Sequence, residues 1–238
     1  LYQPRMGLVF NSGAAAAGSR AAYWTELHQA LNAGTEAEAP VAEALAGDIP
    51  LIIKASRESD ILQALALRKE YGVRVILLGG EEAWRRAPEL AAADIPVILV
   101  PYASLPSSYD MIGARADNAA LLHEAGVKIA FCTDSIFISH NAGTAMRVGA
   151  GIAAAHGLDR RAALDAMTLN PAEIWGVSDE YGSLAPGKSA DIVIWSGDPL
   201  EALSRPIRIF ISGRSVDGLS RHQALRDTYH PKQGLSTK

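Results

Sequence analysis

Residues 127–143 read VKIAFCTDSIFISHNAG. The stretch opens with an apolar, partly β-branched run, residues 127–132, directly after Gly126. It then turns polar at once, with Thr133, Asp134 and Ser135, followed by Ser139, His140 and Asn141. A continuous apolar run bounded by turn residues reads as a strand buried on both faces, the kind found in parallel sheets. A parallel strand that ends in Asp, Ser and His is how an α/β barrel assembles its active face, with the chemistry placed where the strands stop. Asp134 is therefore the first candidate catalytic residue. The same position also suits an Asp that caps a following helix or closes a turn, and spacing leaves both readings open.

Working outward, the same unit recurs upstream. Residues 50–55 (PLIIKA) read as a strand, and residues 58–71 as a helix with Ile61, Leu62, Leu65 and Leu67 apolar and Gly72 as its stop. Residues 73–78 (VRVILL) form the next strand, followed by Gly79-Gly80 and a helix over 81–93 that breaks near Pro88. Residues 95–101 are a third strand, and a Ser- and Pro-rich loop then leads to a helix over 114–126. Four β-then-α units at a spacing of about 25 residues predict a parallel sheet with right-handed crossovers, hence the α/β class.

The flanks read differently. Residues 7–10 allow a short strand, and NSGAAAAGS at 11–19 a small-residue loop. Helices are expected from Ser19, as cap, to Gly34, and over 39–46. Downstream, residues 142–157 and 159–170 read as two helices, with Asp159 starting the second and Pro171 opening a short third. Composition shifts after that. Residues 181–200 place Gly-Ser and Pro-Gly turns around a strand at 191–195, and two short strands flank Ser212-Gly213 as a hairpin. A terminal helix is expected over 220–229, with a frayed tail behind it. The expected division is 1–48 as loop and helices, 49–176 as the main α/β unit, 177–218 as a small β unit, and 219–238 as helix and tail.

Composition narrows the function classes. The 238 residues are 49% hydrophobic and 20% charged, with net charge −4 and no Lys/Arg-rich block. That supports one substantial core or two modest ones, and argues against nucleic acid or an anionic membrane as partner. A small molecule is the expected partner. A single Cys132 excludes an intrachain disulfide framework and suits a small core residue. No apolar run approaches the roughly 20 residues of a membrane span, and no leader pattern opens the sequence. The cytoplasm is the expected compartment; because residue 1 is Leu, export stays open.

Residues 133–135 (TDS) after a buried strand, a helical pair, then NPAEIWGVSDEYGSLAPGKSADIVIWSGDPL at 170–200 and a hairpin ending in Gly213-Arg214 together carry a family likeness. This order closely resembles the C-terminal half of the amidohydrolase superfamily, nearest its imidazolonepropionase-like and prolidase-like branches, over roughly residues 45–218. The resemblance implies a (β/α)8 TIM barrel, of which this sequence holds a partial set of about four βα units matching the fifth to eighth strands. It also implies a small C-terminal β-sandwich portion, zinc or another divalent metal as cofactor, and hydrolysis of a C–N bond in a cyclic or acyclic amide. Asp134 matches the family's eighth-strand Asp, which binds metal and takes a proton from the attacking water.

The departures matter as much. No His-x-His occurs anywhere in the sequence. Lys54 stands at or near the place of the family's fifth-strand His, and Gly79 and Gly80 near that of the sixth. A hydrolytic zinc needs three protein ligands and an open position, and a protonated ammonium repels a cation. No cofactor is therefore expected from this chain's own residues, although a divalent metal remains what the resemblance implies. Lys54 is instead expected to pair with Asp134 across the mouth and hold it ionised. Arg57, Ser56 and His140 would add donors for an anionic or carbonyl ligand, with Asn141 beside His140. Lys54, Arg57, His140 and Asn141 are thus the expected substrate-binding residues. Two of them have a plainer reading: a salt bridge at Lys54 that replaces a lost metal charge, and a helix cap or solvated loop at His140. Two functions stand: an amidohydrolase-type hydrolase of C–N bonds, and a degenerate binding subunit that has lost the metal site. Metal-free acid/base catalysis by Asp134 with Lys54 is a third. Four strands cannot close an eight-stranded barrel, so a homo-oligomer or a separate N-terminal half is the expected protein partner.

Overall fold

The computed structural model describes residues 5–12, 19–103, 105–133, 142–216 and 221–229. Asp134, His140 and Asn141 lie outside the described residues. Five strands form one sheet in chain order: β1 (Leu8–Asn11), β2 (Leu51–Ala55), β3 (Val75–Gly79), β4 (Val97–Leu99) and β5 (Ile129–Phe131). Every pairing is parallel. The four expected units are present, and the short run near residue 8 adds a fifth strand, joined to β2 with Leu8 opposite Leu51 and Asn11 opposite Lys54.

The connecting helices follow local chemistry. Helix α1 (Arg20–Asn32) starts where the Ser19 hydroxyl accepts from the Ala22 N–H. Helix α2 (Ala39–Ala46) ends at Gly47, and helix α3 (Glu58–Tyr71) at Gly72, both glycines left-handed. The break expected near Pro88 is real. A 3-10 turn, Ala83–Arg86, gives way to a short helix α4 (Ala87–Ala92), with Pro88 in its first turn, where a missing N–H is harmless. Helices α5 (Asn118–Glu124), α6 (Ala142–Ala155), α7 (Arg160–Asp165) and α8 (Leu169–Ile174) follow, and the Asp159 carboxylate caps α7 by accepting from Arg161 and Ala162.

Strand side chains alternate between two buried faces, which is why the strands read as unbroken apolar runs. Leu51, Ile53, Val75, Leu77, Val97, Leu99, Ile129 and Phe131 join the main core with Ile61, Leu67, Leu90 and Leu122 from the helices. Ile52, Ile76, Ile98 and Ala130 line the second face under Ile174, against which Trp175 also packs. The two edges differ. At β5 the chain covers its own edge: Phe131 donates its N–H to the Ala166 carbonyl at 2.9 Å, and Asn170 Nδ2 donates to the Ile129 carbonyl at 2.8 Å. At β1, Val9 is 60% exposed.

A separate antiparallel sheet holds β6 (Ile192–Trp195), β7 (Pro206–Ile211) and β8 (Arg214–Ser215). The hairpin read at Ser212-Gly213 is there, with both residues at positive φ as a two-residue turn demands. This unit docks through the turn before β7. Leu200 is buried in the main core, and Arg147 of α6 donates to the carbonyls of Pro199, Glu201 and Ala202. Gly151 makes the approach possible, since a Cβ there would sit 2.5 Å from the Leu200 carbonyl oxygen. Helix α9 (Arg221–Tyr229) closes the described chain. Among the described residues no helix is long and apolar enough to cross a membrane.

Candidate functional site

Parallel strands all present their C-terminal ends at one rim of the sheet, where ligands of open and closed α/β folds bind. Here that rim gathers Asn11 and Ser12 after β1, Lys54 to Arg57 at the end of β2, Gly79 and Gly80 at the end of β3, Val100 and Pro101 after β4, and Cys132 and Thr133 after β5. Alternation decides which way each residue faces. Ile53 and Ala55 belong to the helix side, so Lys54 shares the second face with Ile52. Its register neighbours are Asn11 on β1 and Leu78 on β3. Lys54 thus stands above the Ile52, Ile76 and Ile98 layer, and Leu78 and Cys132 also pack on that layer.

Arg57 is placed differently. It is the residue before α3, and its Nε lies 3.5 Å from Asp60 Oδ2 and 3.6 Å from Asp110 Oδ1. Asp60 is 2% exposed and also accepts from Arg20 Nη1 at 2.7 Å and Trp24 Nε1 at 3.0 Å. Arg20 reaches on to Asp110 at 2.7 Å and to the Ser12 carbonyl at 2.6 Å. This ion cluster ties the starts of α1 and α3 to the loop after β4. Of the expected binding residues, Lys54 and Arg57 are therefore both at the rim, Lys54 turned to the second face and Arg57 into the cluster. The expected pairing of Lys54 with Asp134, and the roles of His140 and Asn141, concern residues outside the described ones.

The glycine pair has a structural cause. Gly79 has φ 95° and Gly80 φ 64°, and a Cβ on Gly80 would press on Val97, Leu77 and Ala83 at 3.0 to 3.2 Å. The Gly80 N–H is already given to the Ala55 carbonyl at 2.7 Å. Glu82 reaches beyond its own turn to two other segments. Its carboxylate accepts from the Glu58 N–H at 2.9 Å, at the first turn of α3, and from the Gly113 N–H at 3.0 Å. Asn118 is a buried polar residue that sequence reasoning missed. Its Nδ2 donates to the Gly80 carbonyl and its Oδ1 accepts from the Trp84 N–H. A polar residue at the head of a helix whose next four residues are apolar was the available signal. Beside it lies a cavity of about 30 Å3 lined by Gly79, Glu81, Leu99, Pro101, Arg115 and Asn118, enough for one water. On the loop surface, Arg115 bonds Asp117 and holds its carboxyl below the usual range.

Among the described residues the donor set is a poor fit to a divalent metal. Among the described residues no group of three His, Cys, Asp or Glu side chains converges on a point where an ion could sit. The rim offers an ammonium at Lys54, and any residue with a side chain at Gly79 would be strained at φ 95°. Neither is what a hydrolytic zinc needs.

The model of the amidohydrolase family matches residues 15–219. A solved amidohydrolase from Thermotoga maritima MSB8 is 29% identical, with a TM-score of 0.70, over 84% of this chain and 53% of that one. An adenosine deaminase from Xanthomonas campestris, solved with bound zinc, superposes with a TM-score of 0.51 at 20% identity, over 88% of this chain and 59% of its own. Among curated proteins, amidohydrolase tasK of Hapsidospora irregularis is 38% identical over 58 residues, 24% of this chain and 6% of that protein. The chain thus spans little more than half the length of these solved structures.

Proposed function

The chain belongs to the amidohydrolase family, and from that premise we propose that it serves as a hydrolase of C–N bonds in small amides, with the Lys54 rim as its binding end. The observation that carries the proposal is the family match over residues 15–219 on a parallel sheet whose strand ends gather at one rim. We read the five strands as part of a (β/α)8 barrel and the three-stranded sheet as part of a small sandwich. The remaining strands would come from further chain, a second copy or a separate half.

Hydrolysis adds water to the amide carbon, breaks the C–N bond and moves a proton from the water to the leaving nitrogen. The carbonyl oxygen needs a donor while charge builds on it, and the water needs a base. The Lys54 ammonium suits the first need. Asp134, three residues beyond the end of β5, is the expected base. In the family a divalent metal would polarise the carbonyl and activate the water; the described residues do not fit one. The ion cluster at Asp60 and the Glu82 carboxylate tie together the loops that follow β1, β2, β3 and β4.

The test is amine release from a panel of N-acyl amino acids and cyclic amides, with and without added zinc, by wild type, Asp134→Asn and Lys54→Met. Turnover that drops at least about 100-fold in Asp134→Asn is expected. No turnover under either condition would sink the hydrolase reading. The second reading is a binding protein that keeps the pocket without the chemistry. Lys54 and the Gly79-Gly80 turn favour it, because they stand where the resemblance asks for imidazoles. Ligand binding without turnover is its signature.

A further inference from the structure

We propose that residues 105–112, on the connection after β4, form a lid at the rim that the Asp110 carboxylate latches; the inference rests on the reading of the rim as the binding end. β2 reaches α3 through Ser56 and Arg57 alone, but residues 100–117 separate β4 from α5. Connections longer than about 12 to 15 residues in compact domains are usually functional, active-site lids among them. This one does not run straight to its helix. Asp110 meets Arg57, which follows β2, at 3.6 Å, and Arg20, in the helix after β1, at 2.7 Å. β3 lies between β2 and β4 in the sheet. The connection thus turns back past the end of β3 toward those of β2 and β1, and each strand it passes adds about 4.8 Å.

The attachments of this segment are placed as a lid requires. Upstream, Pro101 lies against α6, where a Cβ on Gly149 would meet Pro101 Cγ at 2.8 Å. Downstream, the Gly113 N–H donates to Glu82 and its carbonyl accepts from Trp84 Nε1, each at 3.0 Å. Between these points, among the described residues, Asp110 is the group that bonds to distant parts of the chain; Met111 bonds to Ser107, Ser108 and Ala114, all close in sequence. Arg20 and Arg57 are also held by the buried Asp60, so the arginines are fixed and Asp110 is the partner that can leave. The Asp110 and Arg57 side chains are 32% and 38% exposed, within reach of solvent and salt. Around the latch, Leu105, Tyr109 and Ile112 stand largely exposed. Closing over an occupied rim would take that apolar surface out of water.

Cys132, the one cysteine of the chain, packs on the second face, and its N–H donates to the Leu99 carbonyl at the end of β4. It reports access to the rim beside the base of the lid. The experiment follows its alkylation by uncharged N-ethylmaleimide, and amide exchange of residues 105–112 by mass spectrometry. In wild type both are expected to rise about 10-fold between low salt and about 1 M NaCl, as screening frees the latch. Asp110→Asn is expected to be fast already at low salt and insensitive to more, with its urea midpoint showing that it is folded. Unchanged labelling in the folded variant overturns the inference, and so does faster exchange of the segment without faster labelling. If the variant does not fold, a flat salt series in wild type overturns it alone. Neither readout needs turnover. A chain that hydrolyses nothing still tests the lid, and a lid that fails leaves the amide panel to judge the hydrolase reading.

Discussion

Asp60 is a carboxylate at 2% exposure that accepts from Arg20, Trp24 and Arg57. Removing its charge leaves the Arg20 guanidinium, only 18% exposed, without its shortest carboxylate contact on that side. Asp60→Asn is therefore expected to lower stability by about 3 kcal/mol. Asp117→Asn, on an exposed pair with Arg115, should change it by less than about 1 kcal/mol. Urea denaturation of both variants checks the contrast, and equal losses would show that burial is not what makes the Asp60 cluster matter. Gly80 gives a second test at this scale. Gly80 and Gly126 both sit at positive φ, but a Cβ meets three neighbours at Gly80 and open space at Gly126. Each Ala substitution costs about 1 to 2 kcal/mol for the backbone alone. Gly80→Ala should exceed Gly126→Ala in thermal melting, and a smaller loss at Gly80 would contradict the close packing.

Among the elements, β5 depends on its neighbours. It is three residues long and borders one strand, yet its outer groups are taken by Ala166 and Asn170. Asn170→Ala leaves the Ile129 carbonyl without that donor, at about 1 to 3 kcal/mol for a buried acceptor. Faster amide exchange at Phe131 should follow, and unchanged exchange would mean the edge is held by other contacts. The docked turn before β7 titrates. The Leu200 N–H and then Arg160 stabilise the charged Asp198 carboxylate, so its folded pKa lies below the ordinary value. A depressed folded pKa means the contribution is full above the ordinary carboxylate range and is lost as pH falls through the lowered value. Asp198→Asn should flatten the fall in stability below about pH 4, measured as urea midpoint against pH; an unchanged acid limb would assign that fall to other groups.

Much of this scale was legible in the sequence. The four longer βα units, the caps at Ser19 and Asp159, the stop at Gly72 and the hairpin at Ser212-Gly213 all carry local signals that the chain obeys. What escaped was nonlocal. The short strand allowed at 7–10 is present as β1, but its place beside β2 in the sheet carries no local signal. Glu82 caps a helix 24 residues away in the chain, and Arg57 turns to Asp110 rather than outward, neither of which spacing encodes. Of the candidate site, the lysine at the end of β2 was readable and its facing neighbours were not, because they come from β1 and β3.

At the scale of the whole molecule, a parallel sheet buried on both faces explains the dense apolar strands, and its C-terminal rim explains where the polar residues collect. The family places hydrolytic chemistry at such a rim. We propose that this chain departs from it, with the Lys54 ammonium and the left-handed Gly79-Gly80 pair in places where the resemblance asks for imidazoles. The central claim is that the rim works through Lys54 and not through a metal held by this chain. Elemental analysis of the purified protein, wild type and Asp134→Asn, after incubation with zinc and desalting, tests it most directly. The account predicts metal well below one equivalent per chain in both proteins, since a tight zinc site needs three protein ligands. A full equivalent in the wild type that disappears in Asp134→Asn would contradict it and return the chemistry to the family's metal.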